Sequence, residues 1–150
     1  MADNFYIAYG SNLSSEQMEV RTPDAVIIGT GILENWRLLF RRYATIEKNK
    51  GYSVPVLIWK ISEQDEKNLD RYEGYPKFYT KQTLKIDVIT LNGEYFGKVS
   101  AMVYIMTPDA IKRRMEEAAP SLHYYNILAN GCKEFGFDKK ILHEALVECM

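Results

Sequence analysis

The stretch that decides how this chain folds is residues 5–18, FYIAYGSNLSSEQM. An apolar and aromatic run ends at Gly10-Ser11-Asn12, and Ser14 and Gln17 follow at capping-box spacing. Asn4 to Tyr9 reads as a short buried strand. Ser14 reads as a helix start, because its hydroxyl can accept an orphan backbone N–H while Gln17 reaches back reciprocally. The first unit is therefore strand, turn, helix. A glycine turn at a helix N-terminus presents unpaired N–H groups to whatever lies before it, so Gly10-Ser11-Asn12 is either a tight turn only or an anion site.

Thr22-Pro23-Asp24 resets the chain, and AVIIGTGILENWRLLFRR then predicts a long strand with a bulge or bend near Gly29 and Gly31. YATIEKNKGYSVPVLIWKI predicts a strand, a glycine turn and a second strand ending near Ile61. Three such runs in succession favour an antiparallel sheet. Ser62 is a good N-cap, and Glu63, Asp65 and Glu66 suit the first turn of a helix that passes Leu69 and stops near Gly74, before Pro76. FYTKQTLKIDVIT and VSAMVYIMT predict paired strands joined by a hairpin at Asn92-Gly93. Thr107-Pro108-Asp109 opens a helix expected to reach about Ala119. Another begins at Pro120-Ser121 and ends at Gly136, and Asp138 caps a last one. With strands early and helices gathered at the C-terminal end, the class is α+β.

A chain of 150 residues suits one domain, 1–150, with enough core to need neither disulfide nor metal. Its net charge of -1, without a long run of one sign, argues against nucleic acid as a partner. The start MADNFYIAY has neither a basic segment nor a long apolar one, and no apolar run could span a bilayer, so a soluble, cytoplasmic protein with no membrane partner is expected. Cys132 and Cys149 lack CxxC spacing, and His123 and His143 form no HxxxH or HxH pair, so no metal site is expected.

On physical grounds Glu73 stands out. It lies in LDRYEGYPKFY at the last turn of a helix, where helix carbonyls and aromatic surface both oppose ionisation. A carboxyl held near neutral pKa can take a proton and return it within one turnover; otherwise it is a solvated helix-end acid. Of eleven tyrosines, Tyr9, Tyr72, Tyr75, Tyr79, Tyr124 and Tyr125 flank these segments, most as packing groups. Ser11 in YGSNL does not fit the GxSxG nucleophile elbow, and Cys132 reads as an inert buried thiol.

AYGSNL (8–13), LDRYEGYPKFY (69–79) and PSLHYYNILANGCKEFG (120–136) together resemble the γ-glutamylcyclotransferase family with its AIG2-like relatives, in order and spacing along nearly the whole chain. The resemblance implies a small β-barrel-like sheet flanked by helices, with a cavity at one end. It implies an enzyme without a cofactor, in which the substrate's own α-amine attacks its γ-carbonyl, closing 5-oxoproline and releasing an amino acid or amine. Carried over, Glu73 is the general acid/base. The backbone at Tyr9, Gly10, Ser11, Asn12 and Leu13 binds the substrate's anionic groups, and the hydroxyls of Tyr79 and Tyr124 orient the glutamyl moiety or Glu73. The expected partner is thus a small γ-glutamyl molecule, with the protein a monomer or homodimer.

Two features of the sequence pull apart on the leaving group. YGSNL is similar to the γ-glutamyl amino acid branch, whereas YEGYPKFY is closer to the AIG2-like, γ-glutamylamine pattern. The aromatic cluster suits an apolar leaving group, and Arg41, Arg42 and Arg71 are candidates to bind a carboxylate. Two readings compete with turnover: a small-metabolite binding module of the same fold, and a scaffold whose aromatic patches form an interface.

Overall fold

In the computed structural model, which describes residues 4–150, β1 (Asn4–Ala8) leads through a 3-10 turn (Ser11–Leu13) into α1 (Ser15–Arg21). Met1 to Asp3, which open the stretch read above for a leader, lie outside the described residues. Then follow β2 (Val26–Arg41), β3 (Tyr43–Ile61), α2 (Glu63–Glu73), β4 (Tyr79–Ile89), β5 (Tyr95–Met106), α3 (Pro108–Arg113), α4 (Leu122–Phe135) and α5 (Lys140–Glu148). The five strands close a barrel in the order β1-β3-β2-β4-β5, and the α+β class is as the sequence predicts. Among the described residues no helix is long and apolar enough to cross a membrane.

Neighbouring strands are antiparallel except at the closing seam, where β1 runs parallel to β5 with Phe5 beside Ala101 and Tyr6 beside Met102. The other tight seam is β2 against β4, paired at Thr30 and Ile89. A Cβ on Gly29 would lie 2.1 Å from the Ile89 carbonyl oxygen, and one on Gly31 2.7 Å from Ile86 Cδ1, so both glycines mark a close approach of two backbones. The barrel interior and its helix contacts are filled by Ile7, Phe40, Ile46, Leu57, Leu69 and Leu128, all fully buried. Each such side chain contributes roughly 1.5–3 kcal/mol.

Several local expectations are corrected. Gly51 ends no strand: β3 continues through it, and residues 49–52 bulge opposite Asn35, whose side-chain oxygen accepts from the Gly51 N–H at 3.3 Å. The reversal between β2 and β3 falls instead at Arg42, with φ 68° and no glycine to signal it. β1 stops at Ala8, one residue short, because the 3-10 turn intervenes before α1. Ser14 caps α1 as expected, but Gln17 does not reach back: its side-chain oxygen accepts from Arg21 instead. Finally, α3 ends at Arg113 rather than near Ala119, since the Ala118 carbonyl is drawn onto the β2–β3 reversal, accepting from the Arg42 N–H at 2.6 Å.

Candidate active site

Glu73 is the last residue of α2. The helix is fixed at its start by reciprocal bonds between Ser62 and Asp65, and at its end by Gly74 in the left-handed region, φ 66°. The Tyr75 N–H donates back to the Asp70 carbonyl at 2.9 Å, and the Phe78 N–H to the Gly74 carbonyl at 2.8 Å. A tight backbone knot thus holds Glu73 at the rim of a cavity of about 340 Å³, which lies between the end of α2, the turn after β1, β3 and α4. The Glu73 carboxyl makes no hydrogen bond to a described residue. Burial raises its pKa to about 7, and the Arg21 guanidinium opposes the rise. The helix-end carbonyls invoked from sequence are not needed: loss of water is the raising cause.

Across the cavity stand Gly10, Ser11 and Asn12. The Leu13 N–H is taken by the Gly10 carbonyl at 2.9 Å and the Ser14 N–H by the Ser11 carbonyl at 3.0 Å. Ser11 and Asn12 are therefore the positions whose N–H groups have no partner within the turn. Leu13 does not line the cavity. Its side chain is buried beneath α4, where a Cβ on Gly131 would come within 2.7 Å of Leu13 Cβ. A Cβ on Gly10 would point at the cavity, 3.4 Å from the Tyr124 hydroxyl.

Tyrosines form the walls. Tyr79 donates its hydroxyl proton to the Ala44 carbonyl at 2.7 Å, while the Tyr124 hydroxyl accepts from the Ala44 N–H at 3.0 Å. The two phenols therefore clamp one residue of β3 from both sides, and only Tyr124 keeps a proton to donate inward. Tyr9 lines the cavity but gives its proton to the Tyr104 backbone carbonyl at 2.6 Å. Tyr6, Tyr43, Ala44, Phe78 and Tyr104 also line the cavity, and sequence reading did not find them. Asn12 Nδ2 donates to the Tyr6 hydroxyl at 2.9 Å, so Tyr6 retains its own proton for the cavity. Burial pushes the phenols of Tyr6, Tyr9, Tyr79 and Tyr124 above their ordinary pKa, keeping them neutral donors near pH 7. No sequence signal marks Tyr6 and Tyr104, because β1 and β5 meet only at the parallel closure of the folded barrel.

Of the three arginines proposed for a carboxylate, only Arg71 lines the cavity, and its guanidinium makes no ion pair among the described residues. Arg41 is held bidentate by Glu148 at 2.8 and 2.9 Å, and Arg42 pairs with Glu117 at 3.1 Å. Tyr72 reaches the rim, Tyr75 lies against Lys81, and Tyr125 packs on Phe40. Ser11 Oγ accepts from Arg21 at 3.1 Å, which gives it no base, and the buried Cys132 thiol is pushed up in pKa by burial. No three His, Cys, Asp or Glu side chains among the described residues gather as metal ligands.

Residues 6–125 match the family model described as gamma-glutamyl cyclotransferase, AIG2-like. The chain is 29% identical over 147 residues to a gamma-glutamylcyclotransferase of Mus musculus, covering 90% of this chain and 73% of that protein. It is equally identical, 29% over 143 residues, to one of Homo sapiens, covering 87% and 71%. A solved structure of a gamma-glutamyl cyclotransferase superposes with a TM-score of 0.74 at 26% identity, over 96% of this chain and 86% of that one.

Proposed function

The chain belongs to the gamma-glutamyl cyclotransferase, AIG2-like family, and from that premise we propose that it cyclises γ-glutamyl amino acids to 5-oxoproline, releasing the amino acid, with Glu73 as general acid/base. One juxtaposition carries the reading: a carboxyl titrating at about 7 faces, across one cavity, a turn with two N–H groups free of intra-turn partners.

The substrate's α-ammonium must lose a proton before its nitrogen can attack. A Glu73 carboxylate with pKa near neutral takes that proton readily and is still a strong enough acid to give it back. The new N–C bond closes the five-membered ring, and the γ-carbonyl oxygen carries the charge of the tetrahedral intermediate. The Ser11 and Asn12 N–H groups and the Tyr124 and Tyr6 hydroxyls are the donors for that oxyanion and for the α-carboxylate. Cleavage of the γ-amide bond follows as Glu73-H protonates the departing nitrogen. Of the three ammonium protons, one stays in the lactam and two end on the released ammonium group. A single acid/base suffices because attack is intramolecular, and holding the glutamyl chain bent supplies most of the orientation. No cofactor enters this scheme, and the chain acts in it as one functional unit.

The leaving group would pass the rim, where Arg71 is the one cation in the lining, among aromatic rings of Tyr43, Tyr72 and Phe78. Arg71 favours a leaving amino acid carboxylate; the rings favour the second reading, a γ-glutamylamine. Faster turnover of γ-Glu-Ala than of a γ-glutamyl-alkylamine supports the first and the reverse order the second.

The decisive assay measures 5-oxoproline from γ-Glu-Ala and a small γ-glutamyl panel, with wild type beside Glu73→Gln. Product from wild type and loss on the order of 10²–10⁴-fold in a folded variant is the expected result. Equal product from both proteins would reassign the base, and tight calorimetric binding with no product from wild type would make the protein a binding module.

A further inference from the structure

Arg21 lies outside the cavity lining, yet it touches both of the parts that the proposed reaction needs. Its Nη1 donates to Ser11 Oγ at 3.1 Å and to Asn12 Oδ1 at 2.5 Å, and its Nη2 to Gln17 Oε1 at 2.7 Å. The plane of the same guanidinium covers the Tyr72 ring, with Cζ 3.5 Å from the centroid, and the Arg21 carbonyl accepts from Asn68 Nδ2 at 3.1 Å. One planar, forked cation thus reaches the turn by its edge and the last turn of α2 by its face, which an ammonium could not do. Because arginine can only donate, it also sets the Asn12 amide with oxygen towards itself and nitrogen towards Tyr6, which keeps the Tyr6 proton free for the cavity.

We propose that Arg21 is the positioning residue of this site, locking the Ser11–Asn12 turn and the Tyr72–Glu73 end of α2 into one rigid unit and holding a positive charge behind the Glu73 carboxyl. This rests on the cyclotransferase reading for its kinetic consequences only. The other groups facing Glu73 are the phenols of Tyr6 on β1, Tyr9 just after it, Tyr43 on β3, Tyr79 on β4, Tyr104 on β5 and Tyr124 on α4, with Arg71 and Tyr72 on α2 itself. Burial keeps the phenols of Tyr6, Tyr9, Tyr79, Tyr104 and Tyr124 neutral near pH 7, and of the two arginines Arg21 is the one that lowers the Glu73 pKa.

The test compares full-length wild type, Arg21→Met and Arg21→Lys, each checked for folding by circular dichroism and thermal melting. Glu73 is titrated by carboxyl-¹³C NMR, with its signal assigned by its absence in Glu73→Gln, and kcat and KM are measured with γ-Glu-Ala. In R21M the Glu73 midpoint moves up, the acid limb of kcat/KM moves with it, and KM rises about tenfold or more as charged hydrogen bonds to the turn are lost. R21K returns the midpoint towards wild type but leaves KM raised, because charge is restored and the fork is not. A folded R21M with wild-type midpoint and KM overturns the proposal. If R21M does not fold, R21K decides: raised KM supports the proposal and unchanged KM overturns it. Should wild type yield no 5-oxoproline, the reaction reading fails while the Arg21 assignment stands or falls on the Glu73 midpoint and on the Ser11 and Asn12 amide shifts.

Discussion

At the scale of single residues, Glu73 is expected, on the proposed reading, to couple activity and stability to pH in opposite senses. Its pKa of about 7 means that the base form accumulates only as pH rises through neutrality, so kcat/KM for 5-oxoproline formation should fall about tenfold per pH unit well below 7, with one proton involved. For stability, the unfolded carboxyl ionises near about 4.3 while the folded one keeps its proton to about 7. The folded state binds the extra proton in that window, so this contribution is complete below the unfolded value and is lost as pH rises through the folded one. Glu73→Gln, which cannot ionise, should therefore match wild type near pH 4 and exceed it by about 3 to 4 kcal/mol at pH 8 in urea unfolding. Identical pH profiles for both proteins would mean the carboxyl is not held out of water. The clamp on Ala44 makes a second residue-scale prediction: Tyr79→Phe and Tyr124→Phe should each cost about 1–2 kcal/mol, but only Tyr124→Phe also removes a proton aimed at the cavity. Kinetics should separate them, with the larger loss of kcat/KM in Tyr124→Phe. Glu73 was legible in the sequence because it sits one residue before the Gly74 cap and the chain around it is aromatic. Arg21 was not, since its partners are set by how α1 folds back beneath the turn.

At the scale of elements, the active turn is held by what packs under it. α4 packs directly against Leu13, and a methyl group at Gly131 would fall 2.7 Å from Leu13 Cβ and 3.0 Å from its carbonyl carbon. Gly131→Ala should therefore push α4 and the turn apart, costing roughly 1–3 kcal/mol and raising KM for γ-glutamyl substrate; a stable variant with unchanged KM would show that the turn does not depend on this contact. Caps and helix stops were readable, because Ser62, Gly74, Ser121 and Gly136 act through their own backbone neighbours. The β2–β3 reversal at Arg42 and the early end of α3 were not, because the Arg42 N–H bonds to the carbonyl of Ala118, far away in the chain. Gly51 misled for the same reason: a bulge held by Asn35 uses the residue that would otherwise turn the chain.

At the scale of the whole molecule, the C-terminal helix is tied to the barrel by Arg41 and Glu148, whose side chains are 11% and 24% exposed. The Arg41 hydrogen bonds lower the Glu148 pKa, so this contribution is present above the unfolded carboxylate value and is lost as pH falls through the folded one. Glu148→Gln should cost about 1–2 kcal/mol at pH 7 and progressively less as pH falls below the unfolded carboxylate range, read from paired unfolding curves. Occupation of the cavity should stabilise the entire fold: γ-Glu-Ala at about a hundred times its Kd should add about 2.7 kcal/mol to Glu73→Gln, which binds without turnover. Absence of any stabilisation by γ-glutamyl compounds would favour a scaffold. The sequence by itself determined the strand-turn-helix at residues 4–21, the capped helix that presents Glu73 and the α+β class, because each rests on periodicity, capping and turn chemistry within a few residues; the family came from the resemblance of three motifs in order, and the family model bears it out. Only the tertiary structure decided that β1 closes the barrel parallel to β5, that Arg41 and Arg42 are spent in ion pairs while Arg71 faces the cavity, and that Arg21 bridges the Ser11–Asn12 turn and the Tyr72 ring. Those outcomes depend on which distant groups share a desolvated space, and burial of that kind is a property of the folded assembly rather than of any local stretch.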